Sequence, residues 1–291
     1  MPTPQTHWVA VPGRQLLSDG ALRPQEVKKI TESNPPSHLA ERLLSRFPKR
    51  RPELPPAYRG IYAATYKENR SGETTAASLA QRMERWMHRW VAADVADGRA
   101  RATLELGAGT LNQLPFEPAT APYDIVEPIR AFYEVSPHRG RIRDVFGDIA
   151  DAPVEQRYER ITSIATLEHI TQLPFVLARS SRLLAPDGVI RAAIPAEGGL
   201  LWRLGWTFTT GLEFRLRHGL DYGVMMCHEH VNTAAEIEAL VTMAFGEVSV
   251  RSFGVGRQLS LYRFIEARAP RLGQAEAWEE RFEPAAKAVP R

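Results

Sequence analysis

The stretch TLELGAGT, residues 103–110, decides the fold that this sequence predicts. A short apolar strand runs directly into a glycine-rich turn, and glycine lets the backbone come close to a ligand. About twenty positions further on, the stretch YDIVEP ends a second apolar run with Glu127, where an acid can accept hydrogen bonds from the two hydroxyls of a ribose. The two strand ends together predict a nucleoside site.

The turn departs from the dinucleotide-binding pattern Gly-x-Gly-x-x-Gly. Gly107 and Gly109 are followed by Asn112, where the third glycine of that pattern would stand. Three prolines between residues 115 and 122 also prevent the long helix whose first turn would face a pyrophosphate. The ligand therefore need not be a dinucleotide.

The order Glu105, Gly107, Gly109 resembles the first motif of the class I S-adenosylmethionine-dependent methyltransferases, which reads acid-x-Gly-x-Gly-x-Gly. Leu111 replaces the last glycine of that motif. Three later stretches fit the same resemblance in the same order: FGDI at 146–149, ITSIATLEHI at 161–170 and LLAPDGVIRAAIP at 183–195. The resemblance covers roughly residues 100–265.

The resemblance implies a Rossmann-like α/β fold: a parallel sheet with a final antiparallel hairpin and helices on both faces. It also implies S-adenosylmethionine as the cofactor, with Asp148 beside the adenine amino group. The residues that match the family's cofactor site are Glu105, Gly107, Ala108, Gly109, Glu127, Pro128, Asp148, Ile149, Ala165, Thr166 and Glu168.

Alternating apolar and helical patterns predict the organisation of the chain. Strands are expected at 102–106, 123–126, 141–145, 160–165 and 188–194, with helices at 173–185 and 233–245. We expect an N-terminal arm with a helical segment at 1–98, a methyltransferase domain at 99–268 and a peripheral tail at 269–291.

Composition favours an enzyme in a reducing compartment. The chain has 291 residues, 44% of them apolar, and a single cysteine that excludes an internal disulfide. These features predict a cytoplasmic protein, and no apolar run approaches the roughly 20 residues that span a bilayer. The net charge is only +3, and the sequence has no strong basic stripe. Both features disfavour nucleic acid as a partner. The basic run RFPKRRP at 46–52 is interpreted as a solvated linker.

A segment rich in aromatic residues separates the predicted fifth strand from the next helix, and it is too long for a plain connection. In the resembling family an insertion at this place commonly covers the acceptor substrate. We therefore interpret residues 196–232 as a cap, whose apolar surface could lie against a lipid carrier. Its predicted substrate-binding residues are Glu197, Trp202, Trp206, Asp221 and Tyr222.

Three histidines are candidates for a catalytic base: His169 after the fourth strand, and His228 and His230 at the end of the cap. On an extended segment, His228 and His230 would share one face at a spacing that could bind a metal. The only further ligand nearby in sequence is Glu229, on the opposite face. No metal is therefore predicted.

The sequence predicts methyl transfer to oxygen or nitrogen of a small molecule, such as a sugar or glycan precursor or a secondary metabolite. Two alternatives stay open. A nicotinamide-dependent oxidoreductase would share the acid after the second strand, and a non-catalytic relative would bind the cofactor without turnover.

Overall fold

The structure is a computed structural model, and it describes residues 28–30, 36–62 and 77–283. Its strands are β1 (Lys28–Ile30), β2 (Thr103–Leu106), β3 (Tyr123–Val126), β4 (Val145–Phe146), β5 (Tyr158–Ile164), β6 (Leu184–Pro195), β7 (Phe245–Val255) and β8 (Leu259–Pro270). Within the described residues these strands form one sheet in the order β1-β7-β8-β6-β5-β2-β3-β4. The central pairs, from β4 across to β6, are parallel, and β8 runs antiparallel to both β6 and β7.

The helices are α1 (Ser37–Leu44), α2 (residues 56–62), α3 (Ala77–Val91), α4 (Arg130–Tyr133), α5 (Leu173–Leu183), α6 (Leu200–Trp206), α7 (Leu212–His218), α8 (Tyr222–Glu229), α9 (Ala234–Ala244) and α10 (Leu272–Phe282). A π-helical turn, Thr207–Gly211, joins α6 to α7. Short 3-10 turns lie at Ala92–Val95, Leu114–Phe116, Arg139–Arg141, Ile149–Asp151 and Leu167–His169.

Helices cover both faces of the sheet. The main core lies on one face, where α5, α9 and α10 pack over apolar residues of β2, β5 and β6. On the other face, Met87 and Val91 of α3 pack against Ala193 and Phe264. This arrangement confirms the predicted Rossmann-like sheet with its final hairpin. The edge strand β1, which pairs antiparallel with β7, was not predicted.

A predicted strand and the predicted tail need correction. The strand expected at 141–145 is reduced to Val145–Phe146, because Arg141 lies in a 3-10 turn and donates to the carbonyls of Leu114, Glu117 and Pro118. The tail after Ala269 was predicted to be peripheral, but up to residue 282 this is wrong. Trp278 and Phe282 of α10 are buried in the main core.

The predicted cap consists of α6, the π turn, α7 and α8, between β6 and α9. Phe214 and Met225 of the cap form a small core with Leu54 and Tyr58 of the N-terminal segment. Within the predicted arm, Leu54 and Tyr58 therefore contact the cap, whereas Met87 and Val91 pack on the sheet. Residues 1–27, 31–35 and 63–76 of the arm lie outside the described part of the chain. No helix in that described part combines the length and apolar character needed to cross a membrane.

Candidate active site

The switch point of the sheet lies at the carboxyl ends of β2 and β5, where the chain order changes direction; we call the region beyond these strand ends the crevice. From β2 the chain continues outward to β3 and β4, and then returns to β5 on the other side of β2. In open α/β sheets, ligands bind at such a switch point. The loops on its two sides touch: a Cβ on Gly107, whose φ is +69°, would lie 2.4 Å from Cγ2 of Thr166. Only glycine allows this approach.

The turn after β2 is joined to the acid after β3. The N–H of Gly109 donates to Oε2 of Glu127 over 2.9 Å, and the N–H of Ile129 donates to Oε1 over 2.9 Å. A carboxylate accepts about four hydrogen bonds, so about two positions of the buried Glu127 remain. A Cβ placed on Gly109 meets nothing within 4 Å, which leaves open space beside the turn.

The strand ends of β3 and β4 lie side by side, because the N–H of Glu127 donates to the carbonyl of Phe146 over 2.9 Å. Asp148 stands two residues after Phe146 and accepts from the N–H of Ala150 over 3.1 Å, capping the turn Ile149–Asp151. Glu127 and Asp148 therefore share one edge of the sheet. Pro128 is exposed at this edge, whereas Ile149 is buried beneath it.

Glu105 and Ala108 support the turn from beneath with their side chains. Glu105 is buried and accepts a hydrogen bond from the Tyr123 hydroxyl over 3.0 Å. Burial outweighs this bond and raises the pKa of Glu105 to about 8. Ala108 packs in a small core with Leu111 and Tyr123. Both side chains are buried, so they would act on a ligand through the turn.

Leu111, which stands where the family motif has its last glycine, adopts a left-handed backbone conformation. Its φ is 67°, in the left-handed region, and its side chain is fully buried. A non-glycine residue in this region costs about 1–3 kcal/mol. Burial of a leucine side chain contributes about 1.5–3 kcal/mol. Burial of the Leu111 side chain therefore offsets the strain of its left-handed backbone.

The loop after β5 borders the crevice on its other side. Ala165 is exposed, has a φ of 48°, and donates from its N–H to the carbonyl of Ala193 over 2.8 Å. The Thr166 hydroxyl donates to the carbonyl of Ile164 over 3.0 Å. This loop continues into the 3-10 turn that carries Glu168 and His169.

A second group of polar residues lies beyond the ends of β5 and β6. We call Glu168, His169, Glu197, Glu229 and His230 the acid–histidine cluster. Three segments contribute to it. Glu168 and His169 lie in the loop after β5, Glu197 lies two residues after β6, and Glu229 and His230 lie at the end of α8. These segments are joined by backbone bonds, because the N–H groups of residues 231 and 232 donate to the carbonyl of Glu168 over 2.9 and 3.0 Å.

Each histidine of the cluster is paired with an acid. Nδ1 of His169 lies 3.0 Å from the Glu229 carbonyl and 3.2 Å from its carboxylate. Nδ1 of His230 lies 2.8 Å from Oε2 of Glu197. The two imidazole rings meet edge to face, with their centroids 4.9 Å apart. Glu168 lies fully buried beside them.

These pairs shift the pKa values of the cluster. Burial opposes ionisation of Glu229, but hydrogen bonds from His169 and Tyr62 outweigh it and lower the pKa to about 2. Burial disfavours the imidazolium of His169, but Glu229 and Glu168 outweigh this effect and raise its pKa. For Glu168 burial dominates, and its pKa is raised.

The end of the cap is helical, so the expectation that His228 and His230 share one face of an extended segment is wrong. His228 lies inside α8, and its Nδ1 lies 2.7 Å from the carbonyl of Pro52. His230 follows the helix and turns to Glu197 instead. The structure therefore brings His169 and His230 together, and gives His228 a contact with the N-terminal segment.

The predicted substrate-binding residues divide into two groups. Glu197 belongs to the cluster, and Trp202 borders it, because Trp202 donates from Nε1 to Glu197 over 2.6 Å and stacks on His230. Trp206 and Tyr222 pack against each other inside the cap, with ring centroids 6.0 Å apart. Asp221 caps α8 by accepting from the N–H of Gly223 over 2.8 Å.

Arg51 holds the cluster together from outside, which the sequence did not predict. It donates to the carbonyls of His169, His228 and Glu229 over 2.8, 2.9 and 3.0 Å. Nearby Lys49 donates to the carbonyl of Val231 over 2.8 Å. The interpretation of this basic run as a solvated linker is therefore wrong, because these two cations bind backbone carbonyls of the cap and the loop after β5.

Comparisons with known proteins bear on the fold. No family model and no curated protein matches the chain. Among solved structures, the plantazolicin methyltransferase BpumL in complex with S-adenosylhomocysteine has a TM-score of 0.50 at 11% identity, over 80% of this chain and 98% of that chain.

Two structures from Burkholderia thailandensis are also similar. A 1,6-didemethyltoxoflavin N1-methyltransferase has a TM-score of 0.47 at 16% identity, over 86% of this chain and 100% of that chain. An O-methyltransferase family protein has a TM-score of 0.48 at 16% identity, over 80% of this chain and 70% of that chain. The sheet order and the BpumL match show that the chain has the fold of the class I S-adenosylmethionine-dependent methyltransferases.

Proposed function

We propose that this protein transfers a methyl group from S-adenosylmethionine to oxygen or nitrogen of a small molecule. The observation that carries the proposal is the bond from Gly109 to Glu127 beside open space at the switch point of the sheet. The fold, and the sequence resemblance in its ordered motifs, support the same function. A cytoplasmic location belongs to this proposal.

The residues at the crevice fit a nucleoside. Glu127 has about two acceptor positions left, which is enough to accept one hydrogen bond from each of the two hydroxyls of a ribose. Asp148, at the same sheet edge, would lie beside the adenine, and Ala165 and Thr166 would border the cofactor on the side of β5. When bound, the cofactor supplies a methyl group already activated by the positive sulfur, so the chain contributes mainly by positioning the reactants.

We place the acceptor at the acid–histidine cluster. The cluster follows the crevice directly along the loop after β5, and Trp202 adds an apolar wall beside His230. His169 and His230 would line the acceptor site, where Glu229 and Glu197 hold their rings in fixed orientations. Trp206, Asp221, Tyr222 and His228 would act indirectly, by stabilising the cap.

An exposed stripe on the cap favours a lipid-linked acceptor within this class. Five large apolar side chains recur at every fourth residue and are between 42% and 80% exposed: Leu200, Leu204, Phe208, Leu212 and Leu216. Such spacing drifts about 40° per step around a regular helix. The π turn Thr207–Gly211 has more residues per turn than an α-helix, so it offsets part of that drift.

Cations next to the stripe match an anionic lipid surface. Arg203, Arg215 and Arg217 are exposed, and none forms an ion pair with a described residue. Apolar side chains with flanking arginines bind the boundary between headgroups and acyl chains. We expect the protein to sediment with anionic vesicles, and the double substitution Leu204→Ser with Phe208→Ser to abolish this. Equal sedimentation of both proteins would reject the lipid surface.

The direct test of the function is a methyl-transfer assay with isotopically labelled S-adenosylmethionine and a panel of hydroxyl and amine acceptors, some lipid-linked. We expect labelled product with at least one acceptor class, and loss of product in Glu127→Ala. Cofactor binding without transfer to any acceptor in the panel would support the non-catalytic alternative.

A further inference from the structure

Three metal-ligating side chains meet at the end of β5. One ligand atom each from Glu168, His169 and His230 lies within 4.8 Å of the other two. Bonds from nitrogen or oxygen to a first-row metal ion are about 2.0–2.2 Å, so two ligands on opposite sides lie about 4 Å apart. The three side chains therefore reach a shared ion after small shifts.

Glu168 carries a buried oxygen that no described residue satisfies. The residue is 1% exposed, and its Oε2 has no hydrogen-bond partner among the described residues. A buried polar atom without a partner is costly and is rare in folded proteins. A bound cation would satisfy this oxygen.

Both histidines are oriented as metal ligands are. A metal-ligating histidine usually donates its other ring N–H to a carboxylate or a carbonyl. Nδ1 of His169 is directed at Glu229, and Nδ1 of His230 at Glu197. Nε2 of each ring is then the nitrogen with the lone pair. Nε2 of His169 lies 3.7 Å from Oε1 of Glu168, on the side where an ion would bind.

The geometry points to a divalent transition-metal site formed by Glu168, His169 and His230, with Glu197 and Glu229 as supporting residues. Two imidazoles and one carboxylate suit Mn²⁺, Fe²⁺, Co²⁺ or Zn²⁺, whereas Mg²⁺ and Ca²⁺ prefer oxygen ligands. Three protein ligands leave positions for an exogenous oxygen. The sequence did not predict this site, because two of its ligands, Glu168 and His169, lie in a different loop from His230.

The site narrows the proposed acceptor, and this step rests on the proposed function. A hydroxyl oxygen on the cation becomes more acidic, as metal-bound water does. Its O–H bond breaks and the proton goes to water. The oxygen then forms a bond to the methyl carbon while the bond from sulfur to carbon breaks, giving a methyl ether and S-adenosylhomocysteine. The acceptor is therefore a hydroxyl compound.

The test is cobalt binding to the full-length protein after treatment with a chelator, which removes any bound metal ion. Titration with Co²⁺, followed by visible absorption, should show one ion per chain. Glu168→Gln and His230→Ala should each weaken binding by about 100-fold or more. Glu197→Gln should weaken it by about 10–100-fold, as loss of a supporting residue does. His228→Ala is the matched control, because His228 contacts Pro52, and it should bind Co²⁺ as the unchanged protein does.

Two results would overturn the metal site: no stoichiometric Co²⁺ binding by the unchanged protein, or equal binding by that protein, Glu168→Gln and His230→Ala. Calorimetry with S-adenosylmethionine on the same metal-free protein separates this failure from failure of the proposed function. Cofactor binding without cobalt binding rejects the metal site alone. Absence of cofactor binding rejects the proposed function, whatever the cobalt result.

Discussion

The N–H of Gly109 donates to the carboxylate of Glu127 over 2.9 Å, which ties the glycine turn of one strand to the acid that ends its neighbour. Glu127 is buried, and its second oxygen is held by the N–H of Ile129. The carboxylate is therefore fixed in position before any ligand binds. Such preorganisation favours binding, because no side chain has to be ordered when the ligand arrives.

Replacing Glu127 tests its role in cofactor binding. Glu127→Ala should lower the affinity for S-adenosylmethionine at least about tenfold, because hydrogen bonds to a charged group contribute about 1.5–3 kcal/mol each. Calorimetric titration measures the change. The exposed acid Glu155 provides a control, and Glu155→Gln should bind normally. Unchanged affinity in Glu127→Ala would show that the ribose lies elsewhere.

Substitutions of Leu111 should reverse the usual order of alanine and glycine. Leu111→Ala removes the buried side chain but keeps a residue with a Cβ in the left-handed conformation, and should cost about 2–5 kcal/mol of unfolding free energy. Leu111→Gly removes the same packing but relieves the strain, so it should be about 1 kcal/mol more stable than Leu111→Ala. Denaturant titration measures both. If Leu111→Gly were the less stable variant, the strain would be refuted.

Glu105 should make stability depend on pH. Its pKa is raised from 4.5 to about 8, so the folded protein keeps a proton that the unfolded chain has lost between these values. The free energy of unfolding therefore falls as pH rises through this window, by up to about 1.4 kcal/mol per pH unit from this group. Glu105→Gln, which can still accept from Tyr123, should remove this contribution.

The measurement for Glu105 is urea unfolding at intervals between pH 5 and 9. The unfolding free energy of Glu105→Gln, relative to that of the unchanged protein, should increase with pH up to about pH 8. Above this pH the difference should be constant. Glu155→Gln is again the exposed control, with a curve parallel to the unchanged protein. A parallel curve for Glu105→Gln would show that burial does not hold the Glu105 proton.

Arg51 should stabilise the end of the cap. Arg51→Ala removes three hydrogen bonds to the carbonyls of residues 169, 228 and 229, and should cost about 1–2 kcal/mol of local stability. Amide hydrogen exchange should become faster for residues 228–232. The exchange rates of β2, which is far from these residues in the chain, should not change. Arg50 is exposed, and Arg50→Ala is the matched control. Equal exchange in the two variants would contradict the role of Arg51.

Much of the fold was predictable because its signals are local. The apolar strands β2 and β3 each end at a recognisable turn or acid, and parallel strands bring their carboxyl ends to one edge. The sheet order follows from that pattern and the family resemblance. The edge strand β1 was not predictable in this way, because its three residues, Lys28–Ile30, carry no strand pattern and pair with a strand more than 200 residues away.

The acid–histidine cluster shows why the rest was not predictable. Its members come from three separate segments, and their contacts depend on how the cap folds onto the sheet. His228 and His230 are two residues apart, which puts them on one face only if the chain is extended. Instead, α8 includes His228 and ends just before His230. The role of Arg51 depends equally on long-range contacts, since its carbonyl partners lie more than 100 residues away.

The most direct test of the central claim is calorimetric titration of the full-length protein with S-adenosylmethionine and S-adenosylhomocysteine, with NAD as the comparison. We predict micromolar binding of the first two ligands at one site per chain, weakened in Glu127→Ala, and no binding of NAD. Binding of NAD alone would contradict the account and favour the oxidoreductase alternative.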